Sequence, residues 1–101
     1  MALSYAGIKG KISEREIFTG NSMTAEYVQN EYASLGRLPT HDASVLRADI
    51  QRAKDNADSV YVIYSYATPI AWAYGNTVRV PEVKYSVTTS KQQSLVRGYL
   101  R

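Results

Sequence analysis

The chain has 101 residues, a formal net charge of +3 and no cysteine, with 45% apolar and 21% charged side chains. These values suit a single globular domain over 1–101 and argue against disorder. They exclude a disulfide framework, a thiolate metal site and a cysteine nucleophile.

The longest wholly apolar stretches, VYVIY and IAWAY, run to five residues, against the ~20 that a membrane helix needs. No membrane segment is expected, and MALSYAGIKGKISERE lacks the apolar run of a signal peptide. Charge is uneven. Residues 1–76 carry seven basic and eight acidic side chains, residues 77–101 five basic and one acidic. A basic end admits a polyanion partner.

In chain order, SEREIF (13–18) allows a capping box between Ser13 and Glu16, so a short helix is expected to start there. Gly20-Asn21 reads as a turn. SMTAEYV alternates Met23, Ala25 and Tyr27 with Ser22, Thr24 and Glu26, the period of a half-buried strand. Gly36 to Pro39 is a loop, and the main helix follows over about 42–56, capped by Thr40 or Asp42. Leu46, Ile50, Ala53 and Ala57 form its apolar stripe, with Arg47, Asp49, Arg52 and Lys54 directed elsewhere. VYVIYSY is rich in β-branched and aromatic residues and reads as a strand. Pro69 predicts a bulge, bend or edge position after it.

Gly75-Asn76 reads as a two-residue hairpin turn. Tyr74 then opposes Thr77, Ala73 opposes Val78 and Trp72 opposes Arg79. One hairpin face holds Ala71, Ala73, Val78 and Val80, the other Ile70, Trp72, Tyr74 and Arg79. Neither is polar, so both sides are covered or one is an interface. Val83, Tyr85 and Val87 suggest a further strand, and Thr89 with Gln92 a capping box opening a C-terminal helix striped by Leu95, Val96, Tyr99 and Leu100. The fold class is therefore α+β: an antiparallel sheet of three to five strands, one main helix and a short C-terminal helix.

Site chemistry is sparse. His41 is the only histidine, and beside Asp42 it suits a capping or solvent role. Glu14, Glu16, Glu26, Asp49, Asp55 and Asp58 are scattered among basic residues and read as solvated surface. Nothing assembles nucleophile, base and orienter, so no enzyme, cofactor or metal is expected. Two binding surfaces compete. Tyr66, Trp72, Tyr74 and Arg79 make a candidate protein-binding face. Lys84, Thr88, Thr89, Ser90, Lys91, Arg97 and Arg101 make a candidate phosphate or nucleic-acid grip at a helix start. The plain alternative for KYSVTTSKQQ is a strand end followed by a helix cap.

YVIYSYATPIAWAYGNTVRVPEVKYSVTTSKQQ resembles a pattern in small uncharacterised proteins of actinobacterial phages: a Tyr-Ser-Tyr strand, Thr-Pro-Ile-Ala, a hairpin, then Tyr-Ser-x-Thr-Thr-Ser-Lys-x-Gln. FTGNSMTAEYV and GRLP are similar to the front half of such proteins. Members often carry Gly at the place of Ala67 and His at that of Gln92. The resemblance implies a phage-encoded protein in the cytoplasm of a bacterial host and brings no known activity. The expected function is a non-enzymatic accessory protein that binds a host or phage protein or a second copy of itself. The alternative is nucleic-acid binding through 84–101.

Overall fold

A computed structural model of the chain describes residues 5–20, 22–29, 36–81 and 87–100. Its frame is a five-stranded antiparallel sheet in sequential order: β1 (Phe18–Thr19), β2 (Met23–Val28), β3 (Val60–Ser65), β4 (Thr68–Tyr74) and β5 (Thr77–Arg79). Helices α1 (Tyr5–Ser13) and α3 (Val87–Tyr99) lie on one face and α2 (Thr40–Asp55) on the other. The class is α+β.

A sheet covered on both faces needs strands that are apolar on both sides. β3 meets this fully, since all six of its residues are buried. Tyr61 and Ile63 point to the α1–α3 side, where Ile8, Ile12, Phe18, Met23, Ala25, Ala71, Ala73, Val96 and Leu100 complete one core. Val60, Val62 and Tyr64 point to the α2 side, with Val28, Leu38, Leu46, Ile50, Ala53 and Trp72.

The hairpin register is the expected one: Tyr74 pairs with Thr77, Ala73 with Val78 and Trp72 with Arg79. Gly75 takes φ 52, the positive value the turn requires. Pro69 is accommodated by a bulge. Ile63 pairs with Ala71 and Tyr64 with Pro69, leaving Ile70 as the extra residue. The bulge also corrects the expected faces, because Ile70 joins Ala71 in the α1–α3 core instead of siding with Trp72.

Four helix ends differ from expectation. Helix α1 ends at Ser13, where a helix was expected to begin. Glu16 donates its amide to Lys11 O (2.8 Å) and Arg15 to Ile12 O (3.0 Å), with Arg15 at φ 51. That pair of bonds is a Schellman C-cap, and Glu16 closes an ion pair with Lys11 where a capping box was expected. Helix α2 ends the same way: Asp58 N bonds Ala53 O, Ala57 N bonds Lys54 O, and Ala57 has φ 56. Ala57 is thus an exposed cap residue and not part of the apolar stripe.

The start of α2 carries no side-chain cap. Pro39 holds the cap position, its carbonyl accepts from Ala43 N at 2.8 Å, and Leu38 and Ala43 share one core on either side of it. Helix α3 begins at Val87, so Val87 is helical rather than the end of a strand, and Thr89 lies inside the helix rather than capping it. The rest of the expected strand at 83–86 lies outside the described residues.

Candidate functional site

The least expected group in the molecule is Asp49. Placed by sequence on a solvated surface, it is fully buried in α2 against the sheet. A buried carboxylate must be paired and hydrogen-bonded. Trp72 Nε1 donates to its Oδ2 at 2.8 Å and Tyr74 OH to its Oδ1 at 3.0 Å. Arg79 Nε donates to Oδ2, and Arg52 Nη1 stands 3.6 Å from Oδ1. The hairpin register explains the convergence. Trp72 and Arg79 are cross-strand partners, and Tyr74 is two residues further along the same face. One helix carboxylate therefore fastens both hairpin strands. The hydrogen bond to Asp49 raises the Arg79 pKa further above its ordinary value, so this cation stays charged.

This corrects the expected contact face. Trp72 is 1% exposed and belongs to the core on the α2 side, because α2 lies over it. Tyr66 is 74% exposed but sits in the β3–β4 turn, at the end of β4 opposite to Tyr74. The four residues do not form one patch. Tyr74 and Arg79 remain together, half-buried.

Beside this cluster lies an open groove of about 330 Å³, lined by His41, Asp42, Val45, Trp72, Val78, Arg79, Val80 and Pro81. The first turns of α2 form one wall, and β5 with the residues after it forms the other. Val78 is 39% exposed, and the Arg79 side chain is also 39% exposed on the groove side of its bond to Asp49. Among the described residues, no strand pairs with the outer edge of β5.

The candidate phosphate grip is redistributed. Lys84 and Arg101 lie outside the described residues, and Thr88 and Thr89 fall in the first turn of α3. Ser90 is half-buried, whereas Lys91 and Arg97 are exposed on the outer side of α3. The glutamines of the same stretch turn inward. Gln92 Nε2 donates to Ser22 Oγ at 2.7 Å, and Gln93 Nε2 to Pro81 O at 2.8 Å and Ile70 O at 3.4 Å. The middle of α3 is thus a polar clamp onto the sheet. The sequence did carry a signal: Gln92 precedes Leu95 by three and Val96 by four residues, which places it on the apolar stripe.

Two buried tyrosines of β3 make side-chain bonds on opposite faces of the sheet. Tyr61 OH donates to Glu16 O at 2.6 Å, and Tyr64 OH to Glu26 Oε1 at 3.1 Å. Burial, more than any neighbouring charge, pushes both phenols well above their ordinary pKa. Among the described residues, no group of three or more His, Asp or Glu is placed to hold a metal ion. No described helix is long and apolar enough to cross a membrane. Neither this geometry nor the family match given below points to catalytic activity.

No curated protein and no solved structure matches the chain. The family of unknown function DUF8033 matches residues 9–94, from within α1 to within α3. That span covers the whole sheet, the Asp49 cluster and the groove, and the chain belongs to this family.

Proposed function

We propose that this chain is a non-enzymatic binding module whose groove beside β5 takes an extended segment of a partner protein. The observation that carries the reading is the junction of that groove with the outer edge of β5, which no strand pairs among the described residues. An extended peptide can add to an exposed edge through its backbone and set its side chains into neighbouring pockets. Val45, Val78, Val80 and Pro81 supply apolar contacts, and Arg79 beside Tyr74 supplies the kind of anchored cation that concentrates binding energy. The lining carries Asp42 as well as Arg79, which favours a peptide over a phosphate chain. Because β5 has only three residues, the added ladder is short and specificity rests on the side chains.

The resemblance to small phage proteins supports an accessory role in the bacterial cytoplasm, with a host or phage protein, or a second copy of the chain, as the occupant. Selection of a random-peptide library against the intact chain tests the reading. Enriched peptides should lose binding to Val78→Asp and keep it with Lys91→Ala/Arg97→Ala. Peptides indifferent to Val78→Asp refute it. Salt-steep binding of DNA or RNA that is lost in Lys91→Ala/Arg97→Ala moves the function to the outer side of α3.

A further inference from the structure

Gln92 of α3 reaches Ser22 just before β2, and Ser65 at the end of β3 lies beside Ser22 through the sheet pairing. Gln92 is fully buried and is tied through Nε2 to Ser22 Oγ. Ser65 closes β3, is 4% exposed and pairs with both Met23 and Thr68. Strand alternation puts its side chain with those of Tyr61 and Ile63, on the α1–α3 side and therefore on the side of Gln92. The backbone tightens the group, since Tyr66 N donates to Ser22 O at 2.7 Å. Ser22 is thus held by Gln92 on one side and by the residue after Ser65 on the other.

Two atoms of this nest have no hydrogen-bond partner: Ser65 Oγ and Gln92 Oε1. Buried polar atoms are seldom left so, and a cluster of two is costly. Their chemistry defines what fits between them. The carboxamide oxygen only accepts, while the serine hydroxyl both donates and accepts. An anion would face the carboxamide oxygen with no hydrogen to give. The matching ligand donates to Gln92 Oε1 and exchanges one bond with Ser65 Oγ, at the size of a single buried solvent molecule.

We infer that Ser22, Ser65 and Gln92 form a hydration site holding one buried water that joins α3 to the ends of β2 and β3. With the Gln93 bonds to Pro81 O and Ile70 O, the water completes the clamp on the middle of α3. Among the described side chains, the apolar hold of that helix comes from Leu95, Val96, Tyr99 and Leu100, in its second half or just beyond. The seat of α3 on the sheet therefore combines polar bonds near its middle with packing along its second half.

A high-resolution crystal structure of the intact chain tests the site, with a double-mutant cycle of Ser65→Ala and Gln92→Met in denaturant unfolding. The expected result is a water within bonding distance of both orphan atoms, and substitutions that couple. Once Ser65→Ala is in place, Gln92→Met should cost about tenfold less in the unfolding constant than it does alone. A direct Ser65–Gln92 hydrogen bond, an empty nest, or costs that add within about threefold would overturn the inference.

Discussion

Asp49→Ala removes the acceptor from four donors at once, and its cost follows from their exposure. Trp72 Nε1 is buried and left without a partner, a loss of about 1–3 kcal/mol. Tyr74 and Arg79 are half-exposed and recover water, so each adds only about 0.5–1 kcal/mol. Arg52 is exposed and contributes little. The sum is about 2–5 kcal/mol, overlapping the ~3–5 kcal/mol seen when a buried pair loses one partner. For a chain of this size, Tm should fall by roughly 8–40 °C. Trp72 is the single tryptophan and touches Asp49, so its fluorescence during urea unfolding reports the transition and the site together. Asp49→Asn, which keeps one acceptor oxygen, should cost less than Asp49→Ala. Exposed Asp55→Ala, which loses only a contact from Gln51, should cost under about 0.5 kcal/mol. A loss below about 1 kcal/mol for Asp49→Ala would refute the reasoning and return Asp49 to the solvated surface.

Other outcomes follow from the same structure. Ala57→Gly relieves a left-handed residue at an exposed cap and should stabilise by about 1 kcal/mol in denaturant titration; a loss of stability contradicts the cap geometry. Gln93→Leu leaves Pro81 O without its donor and should cost about 1–3 kcal/mol, with faster amide exchange in the first half of α3; unchanged exchange contradicts the clamp. Burial raises the Tyr61 and Tyr64 pKa values, so the unfolded phenols ionise first as pH rises. Stability from this source is complete below about pH 10 and is lost above it. Tyr64→Phe should flatten the alkaline fall in an unfolding series, and an equally steep curve would contradict the assignment.

Much of the frame was legible in local pattern. Gly75-Asn76 with alternating flanks gave the hairpin and its register, and Leu46, Ile50 and Ala53 marked the inner side of α2. The two Schellman ends were hidden because Arg15 and Ala57 stand where glycine is the usual sign. Asp49 was misplaced by its charge, although its position is three residues after Leu46 and four before Ala53, on the inner stripe. A charged residue on such a stripe signals a partner elsewhere in the chain, and that partner, the hairpin, is distant in sequence. Trp72 could not be separated from an interface residue, because its burial depends on where α2 crosses the sheet, which no local period encodes. The exposed lysine and arginine of α3 were legible, whereas the inward turn of Gln92 and Gln93 depended on Ser22 and Pro81 across the fold.

The most direct test of the binding account is amide chemical-shift mapping of the labelled chain with a selected peptide. The account predicts shifts concentrated in Thr77–Arg79, the residues up to Pro81, and the His41–Val45 turn of α2, absent in Val78→Asp. Shifts confined to α3, to Tyr66 or to no surface at all would contradict it.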